Sequence, residues 1–192
     1  METLIEQIDR RCTLNDEERT LLRRTLRTLH FPKGSVVIGE GKIDDSIYFI
    51  TQGVWRAHME RDGEDQTLWF AVSGEMVFSS WGYIRGLPSR FTISSSSDSV
   101  AIEMRKDTVR RLSESSPAFM NWLQELYVDI LLSTDDHFVD LSHPKAEKRY
   151  LAFMKKMPEI FQYVPLREIA GYIGVTPQSL SRIRAGLKNT LQ

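Results

Sequence analysis

Residues 165–187 read PLREIAGYIGVTPQSLSRIRAGL, a pattern of two short helices joined by a tight turn. In the first, Leu166, Ile169, Ala170 and Ile173 recur at helical spacing, so one face is apolar while Arg167 and Glu168 stand on the other. Gly174 predicts the stop, because glycine reaches the positive φ that a sharp helix terminus needs. Thr176 is placed to cap the next helix and Pro177 to occupy its first position. Leu180, Ile183 and Leu187 then form a buried stripe, leaving Gln178, Ser181, Arg182 and Ala185 on the opposite face. Such a pair is a helix-turn-helix arrangement, whose second helix enters the DNA major groove. Gln pairs with adenine and Arg with guanine in two-bonded geometry, so Gln178 and Arg182, one turn apart, suit base reading. A helical hairpin that serves only to pack has the same pattern, and the rest of the chain decides between them.

Charge supports the first reading. The 192 residues carry a net charge of −1, but from His143 onward nine Lys or Arg stand against three acids, giving that segment +6 and leaving −7 elsewhere. A basic patch exchanges counterions with phosphates, which makes Lys155, Lys156, Arg184 and Lys188 candidates for backbone contacts beside Thr176, Pro177 and Ser181. A lysine-rich helix that is merely solvated is the competing reading.

Upstream, Pro117 to about Leu141 has no glycine or proline inside and offers Ser115 or Ser116 as N-cap, which predicts one long helix. Leu123, Leu126 and Ile130 lie on one face and Met120, Tyr127, Leu131 and Phe138 on a neighbouring one. That stripe is wider than contact with a single small barrel uses, so Met120, Leu123, Leu126, Tyr127, Ile130 and Leu131 are expected at a contact with a second copy of the chain. A core helix of a monomer is the alternative. His143-Pro144 interrupts the helix, and a further one should turn Ala146, Tyr150, Phe153, Met154 and Met157 inward.

Residues 3–12 and about 15–29 read as helices, the second opening on a capping box of Asn15 and Glu18. Between His30 and Met104 the pattern changes to short runs rich in β-branched and aromatic residues, SVVI, SIYFIT, VWRAHM, TLWFAV, FTISSS and SVAIEM, punctuated by Gly34, Gly41, Gly53, Asp62-Gly63 and Gly74. That is the signature of an antiparallel sandwich or barrel. The expected fold is therefore α+β: an effector β-roll with N-terminal helices over residues 1–116, a dimerisation helix over 117–142 and a helix-turn-helix domain over 143–192.

Several functions are disfavoured by composition. No apolar run approaches a membrane span and the N-terminus METLIEQIDRR is charged, so a cytoplasmic protein is expected. Cys12 alone supplies no disulfide, no cysteine-ligated zinc and no iron–sulfur cluster, and His30, His58, His137 and His143 have no spacing that selects a haem ligand. An enzyme on a cupin-like barrel would need clustered His and carboxylate ligands, so neither catalysis nor a cofactor is expected.

The order of roll, long helix and C-terminal helix-turn-helix resembles the Crp/Fnr family of bacterial transcription regulators over nearly the whole chain. FPKGSVVIGEGKIDDSIYFITQGVWRAHMERDGEDQTLWFAVSGEMVF, residues 31–78, is similar to the family's effector domain, and VTPQSLSRIR, residues 175–184, to its recognition segment. The resemblance implies a homodimer that binds double-stranded DNA, contacts RNA polymerase and takes a small-molecule effector in the roll. It also exposes a departure. In cyclic-nucleotide binders of the family a Glu holds the ribose and an Arg-Ser pair the phosphate, but here the segment reads GEMVFSSWGYIRGLPSRFTI, with Ser79 in the place of the glutamate, Ser89 in that of the arginine and Arg90 in that of the serine. A pocket of Phe78, Ser79, Trp81, Ser89 and Arg90 is thus expected to take something other than cyclic AMP. The sequence reaches Gln192 five residues after Leu187, which leaves the family's β-hairpin wing unaccounted for and predicts fewer phosphate contacts. A binding module that signals to a protein partner without DNA is the alternative function.

Overall fold

The structure is a computed structural model that describes residues 2–190, with the side chains of residues 2, 3, 159 and 188–190 left out of the description. Two four-stranded antiparallel sheets make the roll. One has the order β1 (Arg27–Phe31), β8 (Ser99–Arg105), β3 (Ser46–Gln52), β6 (Met76–Val77); the other has the order β2 (Val36–Ile38), β7 (Thr92–Ser95), β4 (Val54–Arg61), β5 (Glu64–Val72). All six runs expected from alternation and turn glycines are strands.

The sheets face each other across Ile38, Ile50, Trp55, Ala57, Ile93 and Ala101, all nearly or fully enclosed. Trp55 fills the middle of the roll, with the rings of Phe31 and Tyr48 edge-on at 5.3 and 5.6 Å. On the outer side of the first sheet lie α1 (Glu2–Cys12), α2 (Asp16–Thr25), α3 (Lys106–Ser115) and the start of α4 (Pro117–Ser142), which bury Ile8, Leu22, Leu112 and Phe119 against Ile47, Ile102 and Met104. Cys12 belongs to this core; burial lifts its thiol to about 11, so it stays protonated and donates to the Ile8 carbonyl.

Asn15 and Glu18 form the expected capping box, but α2 ends at Thr25. Leu29, assigned to that helix by its spacing, lies instead in β1 opposite Ala101, because an unpaired β8 edge outweighs continued helical periodicity. The α3 helix and the two-residue β6 carried no sequence signal strong enough to predict them. After α4 come α5 (Ala146–Lys156), α6 (Leu166–Ile173) and α7 (Pro177–Thr190). Tyr150 and Phe153 of α5 are buried as expected, whereas Met154 is exposed, one residue out of phase with that stripe. Ser116, one of the two candidates, caps α4 by accepting from the Phe119 amide.

Candidate nucleic-acid interface

The turn between α6 and α7 is fixed by backbone and side-chain bonds. Gly174 sits at φ 73°, ψ 44°, where a Cβ would be strained, and the amides of Gly174 and Val175 return to the carbonyls of Gly171 and Ala170. Thr176 Oγ1 accepts from the Ser179 amide at 3.2 Å, and Pro177 opens α7. Leu180, fully buried, anchors α7 with help from Ile183 and Leu187. Gln178, Ser181, Arg182 and Ala185 are all exposed on the far side, and Arg184 is half-buried. The Arg182 guanidinium reaches back to Ser179 Oγ at 3.3 Å, which preorganises it over the first turn of the helix. Lys188 has its side chain outside the described residues.

Arg149 is a residue that the sequence did not single out. Its Nε donates to the Ile173 carbonyl at 2.8 Å and its terminal nitrogen to the His143 carbonyl at 2.8 Å. It therefore caps the C-terminal end of α6 and ties the α4–α5 connection to the turn.

The helix pair rests on the roll. Phe70 of β5 meets Phe153 and Tyr172 at ring separations of 5.9 and 5.6 Å, and Gly171 lies so close to β5 that a Cβ there would stand 3.2 Å from the Asp65 carbonyl. Beside this apolar patch, buried Arg56 donates to Asp65 at 2.8 Å and faces Glu168 of α6 at 3.6 Å, while Ser96 donates to Glu168 at 3.2 Å. Glu168 stands on the polar face of its helix in sequence terms, yet that face is turned to the roll. Its partners, Arg56 of β4 and Ser96 just past β7, are distant in the chain, so local spacing could not reveal its role.

Two histidines lie at this junction. His58 contacts Asp65 and Ser94, and His137 Nδ1 pairs with the Tyr172 hydroxyl at 2.9 Å. Burial, helped by Arg56 for His58 and by Lys156 for His137, holds both below the ordinary imidazole value despite nearby Asp65 and Asp140. Folded-state values below the unfolded value mean that protonation opposes the folded state. The contribution is complete above about pH 6.5 and is lost as the pH falls below it. The melting temperature should drop on acidification toward about pH 5.5, and a His137→Gln variant should show a flatter dependence in a thermal scan at several pH values.

Residues 28–116 match the family model of the cyclic nucleotide-binding domain. Among solved structures, FixK2 from Bradyrhizobium japonicum is similar with a TM-score of 0.75 at 18% identity, covering 86% of each chain. A transcriptional regulator of the Crp/Fnr family from Eubacterium rectale aligns at 0.73 and 18% over 92% of this chain and 85% of that one. The c-di-GMP-responsive global regulator CLP of Xanthomonas campestris aligns at 0.70 and 16% over 92% and 93%. The chain has the Crp/Fnr fold. No curated protein sequence matches it, and among the described residues no helix is long and apolar enough to cross a membrane.

Within the Crp/Fnr fold, α4 has two apolar sides. Leu123 is enclosed by the protein's own core, and Leu126, Tyr127 and Ile130 are partly covered by it. Those four residues pack on the chain's own core, while of the expected six Met120 and Leu131 are exposed. The side left open carries Met120, Val128, Leu131, Leu132, Phe138 and Val139, with Leu131, Phe138 and Val139 at 61, 67 and 70% exposure. The 3-4 spacing was visible, but its phase was set by where the roll lies.

The expected effector residues do not converge. Ser79, fully buried, caps the π-helical segment Ser80–Arg85 by accepting from the Gly82 amide at 3.2 Å. Ser89 donates to the Phe91 carbonyl at 2.7 Å, and Arg90 lies exposed with its guanidinium 5.6 Å from the Trp81 ring. Phe78 turns the other way, toward Tyr83 and Tyr127 at 5.3 and 5.7 Å. The two serines thus serve local turns, Arg90 lies over Trp81, and of the five expected residues Phe78 borders a cavity between the roll and α4.

Proposed function

We propose that the protein is a homodimeric, sequence-specific DNA-binding transcription regulator whose effector is not cyclic AMP. The observation that carries the reading is the rigidly capped α7, which leaves Gln178, Ser181 and Arg182 free on one face of a chain with the Crp/Fnr fold. Lys155, Lys156 and Arg184 supply basic charge around it for phosphate contacts. The exposed seam of α4 supports a second copy, and RNA polymerase is the partner that a regulator of this kind would meet on the promoter. Selection of bound sequences from a random DNA pool by the purified chain tests the reading and delivers the operator; recovery of no enriched sequence would end it.

Two expected results follow from the site. Arg182→Ala should cost about 1–3 kcal/mol on the selected operator and relax the choice at one base position per half-site, whereas Lys155→Ala should weaken all sequences alike and lower the salt slope by about one. Equal losses on operator and random DNA for Arg182→Ala would assign that side chain to the backbone. Calorimetric titration with cyclic AMP should give no saturable heat in the micromolar range, since Ser79 and Ser89 offer a cyclic phosphate no charge and the Ser89 hydroxyl already donates to the Phe91 carbonyl.

A further inference from the structure

The outer face of the second sheet carries a series of polar groups that DNA binding does not use. Trp55, Ala57 and Ile93 point into the roll, so alternation along β4 and β7 turns Arg56 and Ser94 outward, where His58 meets them. Ser94 Oγ lies 3.0 Å from His58 Nε2, and His58 Nδ1 lies 3.2 Å from Asp65 Oδ1. The other Asp65 oxygen accepts from Arg56 at 2.8 Å, and Arg56 also donates to Thr67 at 3.2 Å, so the carboxylate is held from behind. A carboxylate at Nδ1 keeps the ring proton on that nitrogen and leaves the Nε2 lone pair to the serine hydroxyl.

Three strands, β7, β4 and β5, thus set a nucleophile, a base and an orienting acid in series. That arrangement is recognised by its geometry, whatever the fold or the chain order. The charged groups facing the imidazole are Arg56 of β4, Asp65 of β5 and Glu168 of α6; burial first, then Arg56, outweigh the two acids and keep the ring neutral at pH 7. Val36, the partner of Ser94 on β2, is 61% exposed, so the approach to the serine from that side is open. Ser94 itself is 8% exposed, which suits a small acyl group and excludes a folded or bulky donor. Arg56 is already engaged by Asp65, Thr67 and Glu168, so it offers an anionic donor no unspent charge.

We infer that Ser94 is an activated nucleophile that takes an acyl group from small, uncharged, activated esters, with His58 as its general base and Asp65 positioning the imidazole. Ser94 Oγ bonds to the ester carbonyl carbon and its proton passes to His58 Nε2. The bond from that carbon to the leaving-group oxygen then breaks, and the leaving group takes the proton from the imidazolium. Water attacks the acyl-serine by the same route, slowly, because the committed Arg56 gives the developing oxyanion little help. None of this rests on the regulator reading.

The probe is p-nitrophenyl acetate on the full chain. Release of p-nitrophenol should show a burst of one equivalent per chain followed by slow turnover, and peptide mass spectrometry should place the acetyl group on Ser94. Ser94→Ala should remove the burst, whereas Ser73→Ala, at an exposed serine on another turn, should keep it. His58→Gln retains a hydrogen-bonding side chain but no base, and should slow acylation by about 10²-fold or more. Asp65→Asn should slow it as well. Wild-type acylation should be level above about pH 6.5 and fall as His58 is protonated below it, while the residual rate of His58→Gln should rise with hydroxide throughout. A histidine that only held the sheet together would leave the two profiles the same shape. Absence of a burst, acetyl groups found only on lysines or the N-terminus, a burst that survives Ser94→Ala, or pH profiles of one shape overturns the proposal.

Discussion

Leu131→Glu combined with Phe138→Glu should turn a dimer into a monomer while each chain stays folded. Both side chains are largely exposed on α4, more than 60% in each case, so neither substitution opens a hole in the chain's own core. In a two-copy seam the same positions meet their symmetry mates, and the introduced carboxylates would be desolvated beside like charges, at several kcal/mol for each ion. Operator affinity should fall by roughly 10²-fold or more, since two half-sites can no longer be held by one tethered pair of recognition helices. Leu126→Glu with Ile130→Glu makes the contrast: these side chains pack on the first core, so the expected result is a lowered melting temperature rather than clean dissociation. Sedimentation at micromolar concentration separates the cases. A wild-type chain that sediments as a monomer, or a Leu131→Glu/Phe138→Glu variant that remains dimeric, would refute the seam.

The difference between those two pairs shows where sequence reading works and where it stops. Periodicity identified α4 as a long helix with more than one apolar face, because apolar spacing is a local property. Which face meets the roll depends on Ile47, Ile102 and Met104, and their proximity to α4 is a tertiary fact. The same holds at the helix pair. Gly174, Thr176 and Pro177 act within a few residues of themselves and were readable, whereas Gly171 and Tyr172 owe their roles to β5, about a hundred positions earlier. Ser79 and Ser89 were read as departures from a nucleotide site, whereas their place in local turns was not legible. A serine that bonds the amide or carbonyl two or three residues away has no distinctive pattern in sequence.

Tyr172→Ala should be the most damaging single change at the junction. The ring lies 4.7 Å from Phe153, 5.6 Å from Phe70 and 5.1 Å from His137, and its hydroxyl pairs with His137 Nδ1. Truncation removes a buried aromatic that three elements share and leaves the imidazole without that partner, so a loss of about 3–5 kcal/mol is expected. Tyr172→Phe deletes only the hydrogen bond and should cost about 1 kcal/mol. The two variants also differ in kind. With the ring retained, α6 stays seated on β5 and the chain unfolds as one unit. With the ring gone, the seat rests on the Arg56–Glu168–Ser96 contacts and the remaining apolar contacts of Phe70 and Val54, and amide exchange in α6 and α7 should proceed by a local opening well below the free energy of the roll. Denaturant midpoints together with residue-resolved exchange read both effects. Equal stability of the Ala and Phe variants would show that the aromatic contact with Phe70 and Phe153 does not hold α6 and α7 in place.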